Sequence, residues 1–389
     1  MYDKKIFFSF FLFSTLFIFA QPACAGGGGG SIKQPSETTK QDTDNNTGGD
    51  DNDTLERFTK GIFPDALKGG GYIDSIFINK SGDRIYFTHT IYPPNILSGA
   101  STIQTCADKT VLALPNHVSL PRLEWNTDLY YIEWDGAIWS DPINLGTEIN
   151  SLGMECCVWL NDDETEMIFA SATYIGGEDG GGPDHTLRPS GNYRATRAHR
   201  DAAWSTPVAL PGKYGTEDFT QNTYRHDIHK TPSGNLYLWE KFPLEGEQGI
   251  HDKLLLFGER IGGTYEDPIY ADPVIISGSA NYDSQIWVND AETQIMFNRR
   301  QPNGETKLYK MTREEPAESW STPAEVSVSN FADSEGHEIW GEPTLDQYED
   351  FMLFIRFNLE DFHCNSVDFL YAKGNIHDGF GTPIHLNAE

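Results

Sequence analysis

The stretches SIFINKSGDRIYF (75–87), CVWLNDDETEMIF (157–169), DIHKTPSGNLYLW (227–239), QIWVNDAETQIMF (285–297) and EPTLDQYEDFMLF (342–354) align without a gap. Each alternates apolar and polar residues and breaks at a polar tip such as Lys80-Ser81-Gly82-Asp83 or Asn289-Asp290-Ala291-Glu292. Each then alternates again, ending at Phe87, Phe169, Trp239, Phe297 or Phe354. That is the pattern and turn chemistry of a β-hairpin. A further short strand follows each hairpin (DLYYIEW, NYRATRA, KLLLFGE, KLYKMTR, DFLYAKG), and then an aromatic-x-x-Pro signature. Its copies run Trp139 to Pro142, Trp204 to Pro207, Tyr265 to Pro268, Trp320 to Pro323 and Phe380 to Pro383. Four antiparallel strands repeated five times predict an all-β, five-bladed β-propeller over residues 56–389. A two-sheet sandwich gives no reason for the signature to keep step with the hairpins.

Composition agrees with this reading. The 389 residues include 37 Gly and 21 Pro, and 13% are aromatic, which favours short strands and turns over helices. Asp plus Glu number 58 against 28 Lys plus Arg, for a formal charge of −30. No basic face is available to neutralise phosphates, so nucleic acid is excluded as a general partner and anionic lipid surfaces are disfavoured.

Residues 1–25 read as a signal peptide: Lys4 and Lys5, an apolar run from Ile6 to Ala20, and the small-x-small site Ala23-Cys24-Ala25. An alternative makes Cys24 the lipid-bearing first residue of a lipoprotein. Residues 26–55 form a flexible, acidic Gly/Asp/Asn-rich linker. Its run Asp42 to Asp53 has Thr47 where a calcium loop needs Gly. The protein is therefore expected outside the cytoplasm, whether periplasmic, cell-surface or secreted. It would be a monomer with no retained transmembrane span, touching a membrane only through a lipid on Cys24.

The "WSTP" signature followed by a tip such as "NDDETEMIF" resembles the WD40-like repeats of TolB-type propellers of bacterial envelopes. The resemblance covers roughly residues 70–389 and implies the fold. It leaves binding module and interaction scaffold both open.

The starts of the five inner strands read Ile73-Asp74-Ser75, Glu155-Cys156-Cys157, Arg225-His226-Asp227, Asp283-Ser284-Gln285 and Trp340-Gly341-Glu342. They are expected to open on one axial mouth, beneath a rim built by the insertions Thr90 to Thr127 and Ala170 to Gly191. Every blade supplies a carboxylate there: Asp74, Glu155, Asp227, Asp283 and Glu342. Arg225, His226, His229 and Trp340 add binding groups. Converging carboxylates push their pKa values apart, as a general acid and a general base require.

A five-bladed fold with axial carboxylates also resembles, more remotely, the arabinanase-like glycosidases of family 43. Carried over, that likeness implies Asp74 as general base, Glu155 as modulator and Asp227 as general acid. The family has Glu as acid and Asp as modulator, with Asp-Pro common at the first position, whereas Ser75 follows Asp74. Acidic strand starts that merely solubilise the chain are the bland counter-reading.

A divalent cation in the axial channel, calcium or equally zinc, is a further reading, with Asp227, His229 and neighbouring carboxylates as donors, and a sodium ion there is an alternative. Alternation along a regular strand would turn His226 away from Asp227 and His229. Cys106, Cys156, Cys157 and Cys364 are expected on the same face, as disulfides stapling the rim. The primary expectation is an exported propeller that binds an extracytoplasmic ligand, such as a glycan, at this acidic mouth. The alternatives are a family 43-like glycoside hydrolase and a scaffold for an envelope protein.

Overall fold

A computed structural model describes residues 57–58, 63–68, 72–90, 114–116, 118, 127–172, 188–216, 224–243, 251–261, 264–267, 269–270, 276–277, 282–300, 306–330, 338–345, 349–358 and 368–386. All belong to one compact unit, Gly49–Glu389. The signal, Cys24, the linker, Cys106, Cys364 and most of both rim insertions lie outside the described residues.

Blade one is β1 (Tyr72–Ile78), β2 (Arg84–Thr90), β3 (Asp128–Glu133) and β4 (Ile143–Asn144). Blade two is β5 (Met154–Leu160), β6 (Glu166–Ala172), β7 (Gly191–Thr196) and β8 (Val208–Ala209). Blade three holds β9 (Tyr224–Lys230), β10 (Leu236–Pro243) and β11 (His251–Gly258). After a two-strand ribbon, β12 (Arg260–Ile261) and β13 (Thr264–Tyr265), β14 (Ile269–Tyr270) and β15 (Ile276–Ser277) complete its outer edge. Blade four is β16 (Tyr282–Val288), β17 (Gln294–Arg300), β18 (Thr306–Thr312) and β19 (Ala324–Glu325). Blade five is β20 (Glu338–Leu345), β21 (Phe351–Asn358) and β22 (Asp368–Asn375), edged by β23 (Gly379–Phe380) and β24 (Ile384–His385). All strand pairs within these blades are antiparallel.

The inner strands close a ring: β1 touches β5, β5 touches β9, β9 touches β16, β16 touches β20, and β20 returns to β1. Five buried apolar clusters fill the five seams. Ile76 packs with Phe351 and Phe369 between blades one and five, Val158 with Tyr86 and Leu129 between one and two, and Ile228 with Trp159 between two and three. Ile286 joins Tyr237 between three and four, and Leu345 joins Met296 between four and five. Phe87, Phe169, Trp239, Phe297 and Phe354 are fully buried at corresponding ladder positions. The hydrophobic effect thus acts mainly between blades.

The aromatic-x-x-Pro signature has a local reason. Each proline immediately precedes a two-residue outer strand: Pro142 before Ile143, Pro207 before Val208, Pro268 before Ile269, Pro323 before Ala324, Pro383 before Ile384. Proline suits an edge and keeps it short, which blunts pairing with other chains. The signature Trp204 and Trp320 lie under Arg197 and Arg313, each guanidinium 4.1 Å from the ring centre.

Those arginines belong to a latch between blades. The Glu164 tip of blade two accepts from Asn79 Nδ2 (2.7 Å), Arg84 Nη1 (3.2 Å) and the Tyr86 hydroxyl of blade one, and from Arg197 Nη2 (3.2 Å). The Glu292 tip of blade four repeats this on Thr231 (2.8 Å), Asn235 (3.1 Å) and Tyr237 (2.8 Å) of blade three, with Arg313 at 3.9 Å.

Ring closure uses no exchanged strand among the described residues. Phe58 and Phe63 instead insert beside Trp139 of blade one and Phe351, Phe369 and Tyr371 of blade five, at centroid separations of 5.2–5.7 Å.

Candidate functional site

Each inner strand carries a β-bulge at the same place. Register slips between Asp74 and Phe77, Cys156 and Trp159, Ser284 and Ile286, and Gly341 and Thr344, and opposite β9 between Tyr237 and Trp239. At each slip one non-glycine residue takes left-handed backbone: Ser75 (φ 52°), Cys157 (59°), Asp227 (54°), Gln285 (46°) and Glu342 (60°). Such a conformation costs about 1–3 kcal/mol per residue and concentrates at functional sites. The bulge re-aims the side chain. Together these five line a narrow axial throat with a volume of about 40 Å³.

Within the throat Ser75 Oγ lies 3.8 Å from Cys157 Sγ, and Cys157 Sγ lies 2.7 Å from Cys156 Sγ. Asp74 Oδ1 accepts from the Ser75 N–H at 2.9 Å. Asp227 Oδ2 accepts from the Gln285 N–H at 3.1 Å and lies 2.7 Å from His226 Nδ1. Burial, and then the neighbouring Asp74 and Asp227 carboxylates, hold the Glu342 carboxyl well above the usual carboxylate range. The contact with Cys156, burial and Asp227 raise the Cys157 thiol.

Asp74, Asp227 and Glu342 therefore meet at the axis. Glu155 does not join them: it is fully buried, with Ser151 Oγ at 2.6 Å, Ser151 N at 2.9 Å, Ser171 Oγ at 2.9 Å and Arg188 Nη1 at 3.5 Å. Its position opposite Ser171 turns it into the blade. Burial raises its carboxyl to about 7 against those hydrogen bonds. Arg225 also leaves the axis, pairing with Glu240 at 2.6 Å and donating to the Lys213 carbonyl at 3.1 Å. Asp283 and Trp340 lie on β16 and β20, with their side chains outside the described set. Cys156 and Cys157 carry no bridge in the structure, while Cys106 and Cys364, their expected rim partners, lie outside the described residues; the bulge aims Cys157 at the axis.

Two features of β9 bear on its histidines. The bulge cancels the strand alternation, so His226 and Asp227 converge instead of diverging. His229, grouped with Asp227 as a cation donor, lines the throat with it and also the next opening along the axis. There a cavity of about 430 Å³ opens on the hairpin-tip side. Its wall takes one equivalent residue from each blade: Phe77, Trp159, His229, Trp287 and Thr344. Trp159 and Trp287 are mostly buried, so they wall the cavity rather than project into it.

Around that opening Lys80 of blade one pairs with Asp290 of blade four and lies 3.6 Å from Asp162 of blade two. Lys230 bonds Glu166 at 2.7 Å and sits 5.8 Å from the Trp159 ring centre. Asp163 and Glu349 complete a lining in which five carboxylates outnumber two lysines. Burial holds the His229 imidazole neutral down to about 4.

No protein-family model and no curated protein sequence matches the chain. Among solved structures it is similar to a putative TolB from Agrobacterium tumefaciens (10% identity, TM-score 0.39, covering 81% of this chain and 80% of that one). It is also similar to a xylan β-1,4-xylosidase from Bacillus halodurans C-125 (12%, TM-score 0.47, 83% and 58%). A third is the Bacteroides ovatus protein titled Xyloglucan PUL GH43B (12%, TM-score 0.44, 82% and 57%). The chain spans little more than half the length of the latter two. Blade number and topology rest on the sheets and ring contacts above. No helix among the described residues is long and apolar enough to cross a membrane.

Proposed function

We propose that this protein is an exported binding propeller that takes a neutral or amine-bearing saccharide in the cavity at the hairpin-tip end of its axis. The observation that carries the reading is the cavity itself. At about 430 Å³ it has the size of a small-molecule site, whereas the 40 Å³ throat has room for little more than an ion or a water. Aromatic walls with polar groups above them suit a sugar ring, which is apolar on its faces and hydroxylated at its edge. The excess of carboxylates disfavours uronic or sulfated glycans and favours an ammonium group. Export rests on the N-terminal apolar run and its small-x-small site.

The test is calorimetric titration of the reduced protein with neutral, amino-sugar and acidic oligosaccharides, repeated on Trp159→Phe and Trp287→Phe. Saturable one-to-one binding of a neutral or amino sugar, weakened about tenfold or more in both variants, supports the reading. Binding of acidic glycans alone refutes the charge argument. Indifference to every saccharide removes the glycan reading and leaves an envelope-protein scaffold.

A further inference from the structure

The throat shares Phe77, Trp159, His229, Trp287 and Thr344 with the cavity wall, but its other groups offer a second chemistry. Cys157, His226 and Asp227 each present a ligand atom, and the three atoms lie within 4.8 Å of one another. They come from two adjacent blades and are brought together only because both inner strands bulge at the same place. Ligands of a tetrahedral zinc ion, bound at about 2.0–2.3 Å, stand about 3.3–3.8 Å apart. The observed triangle therefore needs adjustments on the order of 1 Å, including the opening of the 2.7 Å contact between His226 and Asp227.

The surroundings suit a cation. Glu342 lines the same throat as Asp227, and a dication would offset the charge of carboxyl groups held in so small a space. Gln285 Oε1, on the same wall, is buried and has no hydrogen-bond partner among the described residues. The throat has the volume for an ion and its bound water but not for a sugar ring.

We propose that Cys157, His226 and Asp227 form an axial site for a thiophilic divalent ion of the zinc class, with the fourth position open to the throat. The donor set decides the class. Calcium takes six to eight oxygens and has no use for a sulfur ligand, whereas one sulfur, one imidazole and one carboxylate is a borderline-soft set. Of the cations that the amino-acid sequence left open for the axial channel, this donor set selects the zinc class. Ser75 Oγ, at 3.8 Å from the sulfur, orients the ligand from the neighbouring blade.

Cobalt is the direct probe, because a cobalt–thiolate bond gives a near-ultraviolet charge-transfer band that oxygen ligation cannot. Full-length mature protein, reduced and stripped with a chelator, is titrated with Co²⁺ alone and then with Zn²⁺ alone. Expected are one equivalent of Co²⁺, the thiolate band, tetrahedral visible absorption, and loss of both on adding one equivalent of Zn²⁺. Cys157→Ser abolishes the band, and His226→Gln or Asp227→Asn weakens Co²⁺ at least tenfold, each variant keeping the wild-type circular dichroism spectrum.

The wild-type band is informative even if a variant fails to fold. Binding of less than a fifth of an equivalent, or a complex without the thiolate band, overturns the proposal. So does a Cys156–Cys157 disulfide in protein isolated without reductant. Calcium binding that displaces cobalt would also overturn it.

Discussion

Replacing Glu155 by Gln should remove one pH-dependent contribution to stability. The carboxyl is buried, and its pKa of about 7 compares with 4.5 for an exposed glutamate. Below pH 4.5 it is protonated in both folded and unfolded chains and costs nothing. Between 4.5 and about 7 the unfolded chain releases its proton while the folded one keeps it, so folding weakens as pH rises. Each pH unit costs about 1.4 kcal/mol, and the loss is complete above pH 7 at roughly 3 kcal/mol. Glutamine keeps the serine contacts and gives up only the 3.5 Å one from Arg188: its oxygen can accept from the Ser151 N–H, while its amide donates to the Ser151 and Ser171 hydroxyls. Glu155→Gln should therefore match the wild type near pH 4.5 and exceed it by about 3 kcal/mol at pH 8. Urea unfolding of both proteins, reduced and metal-free, across that range reads the difference directly. A difference that does not change with pH would refute the reasoning. It would mean that Arg188 and the serines hold the ionised form after all.

Other outcomes follow from the same structure. Glu292→Ala strands Arg313, Tyr237, Thr231 and Asn235 and should destabilise by about 3–5 kcal/mol in denaturant titration, with Glu164→Ala similar. Phe63→Ala should cost about 3–5 kcal/mol by opening the seam between blades one and five, whereas a cost under 1 kcal/mol would show that the seam closes without it. Lys80→Met removes the ion pair spanning the cavity opening and should raise the saccharide association rate with little effect on stability, measured by stopped-flow fluorescence. His229 should stay neutral in nitrogen-detected NMR down to about pH 5, where a free imidazole would be protonated.

The fold was legible because blade chemistry repeats in the sequence. The Phe87-class residues, the tips and the Pro-led outer strands each occupy one alignment column. The site was legible only in part, because carboxylates were picked by residue type across three different columns. Glu155 and Asp283 head their triplets, Asp74 is central, and Asp227 and Glu342 come last. Asp74 and His226 reach the axis from the central column, while the last column is the bulged one and its residues turn inward. Its five residues, Ser75, Cys157, Asp227, Gln285 and Glu342, head the five aligned stretches, and none is apolar. That column was the available signal. What concealed it was the assumption of regular strands, which a bulge breaks without leaving a glycine to mark it.

The seam between the first and last blades also dictates an order of assembly. Every other seam joins neighbours in sequence, so blades can stack as the chain emerges, each hairpin docking on the one before. Phe58 must wait for Phe351 and Tyr371. Closing a loop of some 300 residues rather than a dozen adds only about 3 kcal/mol of chain entropy, but the contact cannot form until the last blade exists. Until then Phe58, Phe63 and Trp139 present an uncovered apolar face. A chain crossing a membrane amino end first would carry that face through its entire passage. Truncations ending before β21 should be held by chaperones or lost to proteases, however well their first four blades have formed.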